Sequence, residues 1–219
     1  MSIPKVIHRI WLDDPMPTTF KVFGDEWSRH HPEWERMEWT SSKRLPRLIL
    51  EEEFRNAKRI MPKDWKRFQA DILRLELLNI YGGVYADTDV HPLKPFDTWL
   101  GHHAVLGLSP NKYKGRSIVT QAIMMAEPRS PFILRCIEGI PTAIRDHAGK
   151  PLSQVIGPHH IQRTLDAMGN GAGVHVVKSS TFYPVSIADR DRGVMLDITN
   201  SYSTHGWNTT AKKRGKGVT

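Results

Sequence analysis

The sequence is poor in cysteine and has no long apolar run. Cys136 is the only cysteine among 219 residues, which excludes an internal disulfide and fits a reducing compartment. No stretch approaches the about 18 apolar residues of a membrane span, and the first residues lack the apolar core of a signal peptide. These absences predict a cytoplasmic protein with no transmembrane segment.

The charge of the chain is unevenly placed. The formal net charge is +8, and residues 211–219 carry four lysines and arginines without an acid. We therefore expect one domain over residues 1–210 and a basic, mobile tail over residues 211–219. A second basic cluster comprises Lys112, Lys114 and Arg116. The tail serves either solubility alone or attraction to an anionic membrane or a nucleic acid.

Apolar spacing and turn residues predict alternating strands and helices. The predicted strands are residues 5–11, 34–39, 84–86, 104–108 and 174–177, and the predicted helices are residues 63–80, 130–147 and 159–168. A further helix is expected from Ser41 or Ser42 towards Phe54, with a start made uncertain by Pro46. This alternation predicts an α/β fold, an open mixed sheet with helices on both faces.

The most informative segment runs from Tyr81 to Asp89. Gly82 and Gly83 end the longest predicted helix, a short strand follows, and Asp87 and Asp89 come directly after it. Two carboxylates at a strand end repel each other unless a cation or several donors lie between them. The segment therefore favours a divalent-cation site, and the alternative is a solvated turn with a chance Asp-x-Asp pattern.

A second acidic and basic pair precedes this segment. Asp71 and Arg74 are three residues apart in the longest predicted helix, so they share one of its faces. From the sequence alone, they form either part of a ligand site or an exposed ion pair, which contributes only about 0.2–1 kcal/mol. His8 is interpreted as a structural residue, since a lone histidine on a strand usually satisfies a local hydrogen bond.

The opening Ile3–Trp11, the Asp71-Ile72-Leu73-Arg74 segment and the Tyr81–Asp89 segment together resemble the DXD-motif sugar transferases. That family includes yeast initiating mannosyltransferases, bacterial capsular sugar transferases and the core of clostridial glucosylating toxins. The resemblance implies a GT-A (Rossmann-like) fold and a nucleotide-sugar donor such as a UDP- or GDP-hexose. It also implies Mn²⁺ or Mg²⁺ and transfer with retention of anomeric configuration.

The resemblance also implies roles for individual residues. Asp89 would bind the cation directly, and Asp87 would reach the donor ribose or a metal-bound water. Asp71 and Arg74 would lie beside the ribose and the sugar. The remaining family positions are expected to contact the donor or the metal: Ile10, Trp11 and Tyr85 at the nucleotide, His205 at the metal and Trp207 over the diphosphate. The segment from Ser203 to Asn208 is expected to close over the bound donor.

Three classes of function remain open from the sequence. The first is a sugar transferase whose acceptor is a glycan or a lipid-linked saccharide, with modified DNA as the alternative acceptor. The second is a metal-dependent phosphodiesterase or nuclease, which needs further convergent ligands. The third is a non-catalytic nucleic-acid-binding protein built on the basic clusters, which leaves the Tyr81–Asp89 segment unexplained.

Overall fold

The computed structural model of the protein describes residues 2–13 and 15–207. The expected basic tail at residues 211–219 lies outside this part of the chain. The strands are β1 (Val6–Trp11), β2 (Glu35–Thr40), β3 (Gly83–Ala86), β4 (Val90–Pro92), β5 (Ala104–Leu108), β6 (Val119–Ala126), β7 (Val174–Val177) and β8 (Ser203–His205). The helices are α1 (Thr18–His30), α2 (Glu51–Arg55), α3 (Ala57–Ile60), α4 (Trp65–Tyr81), α5 (Pro131–Asp146), α6 (Leu152–Val155), α7 (Pro158–Met168), α8 (Ser179–Phe182) and α9 (Ile187–Arg192).

Six strands form one sheet in the order β2-β1-β3-β6-β5-β7. β1 pairs in parallel with β2 and β3, whereas β6 runs antiparallel to both of its neighbours, β3 and β5. β7 is parallel to β5 at the other edge. This arrangement confirms the predicted α/β fold with an open mixed sheet. A separate two-stranded sheet joins β4 to β8.

Successive residues of the central strands face opposite sides of the sheet. Tyr85, Leu106 and Met124 belong to the core cluster that packs against α4, α5 and α7. Their neighbours Val84 and Val105 belong to the cluster on the other face, which includes residues of α1 and α8: Trp27 and Phe182. Both faces are therefore covered, as a largely parallel sheet requires. No helix of the described ranges has the length and apolarity needed to cross a bilayer.

No sequence pattern predicted β6, although this strand lies at the centre of the sheet. All eight of its residues are buried, so the strand has no alternation of polar and apolar side chains. Its alanine and methionine residues favour helices by intrinsic propensity. Strand pairing on both sides overrides that preference.

The helix expected from Ser41 or Ser42 towards Phe54 has the wrong start. Residues 41–50 are not helical, and a short helix begins only at Glu51. Pro46 opposes helix formation at and before its own position. The end of this segment packs instead against the core. Leu50 is buried, and its N–H donates a hydrogen bond of 2.8 Å to Oε1 of Glu76.

His8 joins three elements in the buried centre of the fold. Its Nε2 donates to the carbonyl oxygen of Gly82 at 2.9 Å, and its Nδ1 accepts from the indole N–H of Trp39 at 3.2 Å. These bonds fix β1 to β2 and to the glycine turn after α4, where Gly82 has a φ of 64°. Burial lowers the pKa of His8 to about 4, so the ring is neutral in the folded protein. The structural interpretation of His8 fits these contacts.

The buried guanidinium of Arg9 attaches α1 to the sheet. Nη1 donates to Oε1 of Glu38 at 2.8 Å, and Nη2 donates to the carbonyl oxygen of Phe20 at 2.7 Å. Gly24 of α1 lies directly over this group, because a Cβ at that position would overlap Nη1 of Arg9 and lie 3.0 Å from Glu38 Oε1. The close approach of α1 to β1 therefore requires a glycine at this position.

We expect the stability advantage of the wild type over His8→Asn to shrink in acid. The folded pKa of His8 lies below that of the unfolded chain, so its contribution is complete above about pH 6.5 and is lost as the pH falls towards 4. Between pH 7 and pH 5 the difference in unfolding free energy should narrow by about 2 kcal/mol. Urea unfolding at both pH values measures it, and a constant difference would contradict a buried neutral His8.

We expect Gly24→Ala to lower the free energy of unfolding by about 1–3 kcal/mol, because the new methyl group forces Arg9 out of its contacts. Gly101→Ala is the matched control. A Cβ on Gly101 has nothing within 4 Å, so this variant should stay within about 0.5 kcal/mol of the wild type. Equal effects of the two substitutions on thermal unfolding would disprove the packing of Gly24 over Arg9.

Candidate active site

Asp87, Thr88 and Asp89 form a turn at the carboxyl end of β3. The N–H of Asp87 still donates to Ala122 of β6 at 2.8 Å, and the N–H of Val90 closes the turn on the carbonyl oxygen of Asp87 at 3.0 Å. The two aspartates thus come directly after the strand, as the sequence indicated, and the segment that carries them is a turn. The turn redirects the chain from the main sheet into β4.

The C-terminal strand brings His205 against this turn. β8 pairs with β4 so that His205 lies opposite Val90, and the N–H of Gly206 donates to the carbonyl oxygen of Asp89 at 2.9 Å. Nε2 of His205 lies 3.0 Å from Oδ1 of Asp89 and 3.8 Å from Oδ2 of Asp87. One ligand atom from each of these three residues lies within 4.8 Å of the other two.

These three side chains suit a divalent cation. Carboxylate oxygens and an imidazole nitrogen are donors that Mn²⁺ accepts in proteins. Burial lowers the pKa of His205, but the carboxylates of Asp89 and Asp87 outweigh it and raise that pKa above its ordinary value. Two acids therefore attract positive charge to this point. Nδ1 of His205 is buried and has no hydrogen-bond partner within the described ranges.

Arg74 is buried beside the turn and connects three elements. Its Nη2 donates to Oδ1 of Asp71 at 2.7 Å, and its Nη1 donates to the carbonyl oxygen of Gln121 in β6 at 2.6 Å. Nη1 also lies 3.3 Å from Oδ1 of Asp87. Burial opposes its charge, but Tyr85, Asp87 and Asp71 outweigh this effect and raise the pKa of Arg74. The guanidinium is therefore a permanent positive charge next to the acidic turn.

Asp71 is equally buried, so the alternative of an exposed ion pair is wrong. Its side chain is 8% exposed, and that of Arg74 is 6% exposed. Oδ1 of Asp71 also accepts a hydrogen bond of 2.8 Å from Nε2 of Gln121. Burial raises the pKa of Asp71 to about 6, although Arg74 acts in the opposite direction. The carboxylate is still mostly ionised at neutral pH.

Tyr85 orients Asp87 through a hydrogen bond. Its hydroxyl donates to Oδ1 of Asp87 at 2.6 Å, and its ring lies 4.4 Å from the guanidinium carbon of Arg74. Burial raises the pKa of Tyr85 well above its ordinary value, so the phenol keeps its proton and remains a donor. Tyr85 therefore acts on Asp87, and its ring is enclosed in the core.

The remaining residues expected at the donor lie in different environments. Trp11 is partly exposed at the end of β1, with its ring 5.2 Å from that of Phe20. Ile10 is buried in the core on the α4 face of the sheet. Trp207 is buried, its indole N–H donates to Val185 at 2.9 Å, and its ring centroid lies 4.1 Å from that of His205. Asn208, the end of the expected closing segment, lies outside the described residues.

Sequence reasoning missed two residues that support the site. Gln121 contacts Asp71 and Arg74, and Arg9 donates from Nη2 to the carbonyl oxygen of Thr88 at 3.0 Å. Arg9 therefore holds the residue between the two aspartates as well as α1. The pattern of the first strand showed only an arginine among apolar residues, and no local signal marks Gln121. Both contacts join residues 47 or more positions apart in the chain.

The site bears on the two alternative classes of function. A two-metal hydrolase needs a second group of metal ligands. Within residues 2–13 and 15–207, Asp87, Asp89 and His205 form the single group of three or more metal-ligating side chains of this kind. A protein that only binds nucleic acid would leave the buried Asp71, Arg74 and Asp87 arrangement without a role.

Part of the chain is similar to known sugar transferases. A family model described as a glycosyltransferase sugar-binding region containing a DXD motif matches residues 17–106. Inositol phosphoceramide mannosyltransferase 1 of Schizosaccharomyces pombe is 29% identical over 145 residues. That match covers 64% of this chain and 43% of the relative, so the chain spans less than half of the relative's length.

Solved structures agree on the fold. The PaToxG glycosyltransferase superposes with a TM-score of 0.64 at 16% identity and covers 78% of this chain and 71% of its own. The UDP-bound glycosyltransferase domain of the YGT toxin has a TM-score of 0.58 at 9% identity and covers 100% of this chain and 87% of its own. These matches confirm the GT-A fold. Residues 17–106, which contain the Asp87-Thr88-Asp89 turn, are similar to the glycosyltransferase sugar-binding region that carries the DXD motif.

Proposed function

We propose that the protein transfers a sugar from a nucleotide-sugar donor to an acceptor with the help of a divalent cation. The observation that carries this proposal is the convergence of Asp87, Asp89 and His205 beside the buried Arg74. The family match and the UDP-bound fold relative support a nucleoside-diphosphate donor. Mn²⁺ or Mg²⁺ and a UDP- or GDP-hexose are the proposed cofactor and donor. Retention of configuration is part of the proposal through the family resemblance.

Asp87, Asp89 and His205 are the proposed metal ligands. When bound, the cation neutralises the charge that develops on the departing diphosphate. The chain keeps these ligands in place from three directions: Tyr85 holds Asp87, the backbone of Gly206 holds Asp89, and strand pairing holds His205. Preorganised ligands of this kind need no rearrangement during the reaction.

Arg74 and Asp71 are the proposed contacts for the sugar end of the donor. Arg74 supplies a fixed positive charge at the edge of the turn, and Asp71 offers a carboxylate that accepts hydrogen bonds from hydroxyl groups. Both side chains are held by Gln121 and by each other, so they cost little reorganisation when they meet a ligand.

The nucleotide end of the donor is assigned to the end of β1. Trp11 is partly exposed there and offers an aromatic face on which a base can stack. Ile10 faces the core, so we assign it the packing of β1 beneath that position. Trp207 lies against His205, where its bulk shields the diphosphate from water.

The proposed acceptor is a glycan or a lipid-linked saccharide. The name of the fungal relative describes mannosyl transfer to inositol phosphoceramide, a lipid, which favours a lipid-linked acceptor. Modified DNA is the other acceptor to test, because the basic clusters would attract it. A strong dependence of acceptor binding on salt concentration would indicate phosphate contacts of that kind. The cytoplasmic location remains a prediction.

The function is tested by a donor screen. The purified protein is incubated with Mn²⁺ and a panel of UDP- and GDP-hexoses, and slow release of nucleoside diphosphate is measured. Selective hydrolysis of one donor, abolished by a chelator and restored by Mn²⁺, is the expected result. Absence of release from every donor, in a protein that binds Mn²⁺ and is folded, would oppose the proposal.

We expect Asp89→Asn to reduce donor hydrolysis by at least about 100-fold, because it removes a charged ligand from the proposed metal group. Asp97→Asn is the control, since Asp97 is an acid whose carboxylate pairs with Lys5 away from this group. The control should retain wild-type hydrolysis. Full activity of Asp89→Asn, or full wild-type activity in a chelator, would remove the metal from the mechanism.

Asp71→Asn tests the buried pair with the least change of shape. An asparagine still accepts from Arg74 and Gln121 but carries no charge, so we expect a folded protein with about 10-fold to 100-fold lower turnover. Arg74→Ala should instead destabilise the fold by about 3–5 kcal/mol, because it leaves buried carboxylates unpaired. Unchanged turnover in a folded Asp71→Asn variant would make the pair purely structural.

A further inference from the structure

We propose that a surface around α9 docks the protein on an anionic lipid membrane. The docking face consists of the hairpin at residues 109–118, helix α9 and the loop at residues 193–196. Its binding chemistry is argued from charge and exposed apolar side chains. Only the idea that docking delivers a lipid-linked acceptor rests on the proposed function.

The hairpin projects beyond the edge of the sheet where the acidic turn lies. β5 is parallel to β3 through the order of the sheet, so residue 109 leaves the sheet at the same end as Asp87. Tyr113 and Arg116 exchange backbone hydrogen bonds of 2.8 and 3.0 Å, and Lys114 and Gly115 have φ values of 47° and 81°. This geometry is a tight two-residue turn, and residues 112–117 are exposed.

Helix α9 starts at this hairpin and ends at the apolar loop. The N–H of Ile187 donates to Oδ1 of Asn111 at 3.0 Å. The six residues of α9 span about 9 Å. Gly193 then ends the helix with a φ of 66°. The loop therefore lies roughly one short helix away from the base of the basic hairpin.

Three consecutive apolar side chains of the loop face solvent. Val194 is 41% exposed, Met195 is 94% exposed and Leu196 is 39% exposed. Because Met195 is so exposed, its side chain adds little to the packing of the described residues. Contiguous exposed apolar residues on a soluble domain mark a binding surface for a protein or a membrane.

Positive charge lies beside the same helix. The hairpin carries three basic residues and no acid. Arg190 of α9 donates to the carbonyl oxygens of Gly206 and Trp207 at 2.7 and 3.1 Å, which ties the segment after β8 to α9.

The remaining charges of this region nearly cancel. Asp191 pairs with Arg190 at 2.7 Å, and Asp189 pairs with Arg192 at 2.8 Å. Asp197 adds one negative charge and bonds to the N–H of Thr199 within its own loop. The docking face thus keeps its positive character.

An anionic bilayer is the partner that uses both features. Each lysine or arginine near a negatively charged membrane surface contributes about 1 kcal/mol of binding free energy. Apolar side chains add to the binding when they are buried at the boundary between the headgroups and the acyl chains. A nucleic acid would be attracted by the positive charge, but it would not provide an apolar environment in which Met195 is buried. Trp207 packs on His205, so a membrane on this face would lie next to the proposed active site and its lipid-linked acceptor.

Vesicle sedimentation of the full chain tests the docking face. Vesicles of phosphatidylcholine alone are compared with vesicles that contain a minor fraction of phosphatidylserine. We expect about 10-fold or tighter binding to the anionic vesicles. Met195→Ser combined with Leu196→Ser should weaken that binding at least about fivefold, and Lys112→Glu combined with Arg116→Glu should weaken it more strongly.

Matched substitutions elsewhere serve as controls. Ile49→Ser is the control for the loss of an exposed apolar side chain, since Ile49 is 57% exposed and lies outside the docking face. Lys58→Glu combined with Arg135→Glu is the control for the change of charge, since both residues are exposed and also lie outside the docking face. Equal losses in test and control variants, or equal binding to neutral vesicles, would overturn the proposal. Binding to double-stranded DNA that is tighter than to anionic vesicles and unaffected by the Met195 and Leu196 substitutions would also overturn it.

Donor hydrolysis in vesicle-free buffer separates this proposal from the proposed function. The docking variants should hydrolyse the donor as the wild type does, because their residues lie outside the metal group. Normal vesicle binding without hydrolysis of any donor would support the docking face and refute the transferase. Normal hydrolysis without vesicle binding would refute the docking face alone.

Discussion

The buried guanidinium of Arg74 is the interaction on which the site depends. Three negatively charged or polar partners from different elements surround it: Asp71 of α4, the carbonyl oxygen of Gln121 in β6, and Asp87 of the acidic turn. Without this charge, two carboxylates would share a poorly solvated space and would repel each other. The same contact therefore fixes the helix, the central strand and the turn, and makes an acidic site compatible with a stable core.

The local order of the chain explains how Arg74 reaches this position. Helix α4 runs from Trp65 to Tyr81, and the glycine turn that follows sends the chain back as β3 along the centre of the sheet. The carboxyl end of β3 then lies beside the middle of the same helix, where Asp71 and Arg74 face it. His8 stabilises the turn through its bond to Gly82, so the first strand also contributes to this geometry. Helix α4, the glycine turn and β3 thus form one unit that brings four charged residues together: Asp71, Arg74, Asp87 and Asp89.

Much of this unit could be predicted from the sequence, and much of its surroundings could not. The spacing of apolar residues in α4, the two glycines and the aspartates after β3 are local patterns, and each predicted its element correctly. By contrast, β6 has no alternation, because both of its faces are buried, and its residues resemble those of a helix. Gln121 and Arg9 act through contacts between distant parts of the chain, which no local pattern reveals. The sequence also does not show that Asp71 and Arg74 are buried, because an acid and a base three residues apart in a helix form the same pattern whether they are exposed or buried.

The proposed metal group is completed by a residue from a distant part of the chain. His205 meets Asp89 across 116 positions, and it does so only because β8 pairs with β4 immediately after the acidic turn. Contacts between residues so far apart in the chain carry a larger cost in loop-closure entropy than local contacts do. The two aspartates are therefore positioned by the core of the fold, whereas the position of His205, the third proposed ligand, depends on the pairing of β8 with β4. Hydrogen bonds of the residues that follow β8 help to hold the strand in place. The indole N–H of Trp207 donates to the carbonyl oxygen of Val185, and the guanidinium of Arg190 donates to the carbonyl oxygens of Gly206 and Trp207. Local opening of β8 would remove His205 from the group without disturbing Arg74, so the site has a rigid acidic part and a separable histidine part.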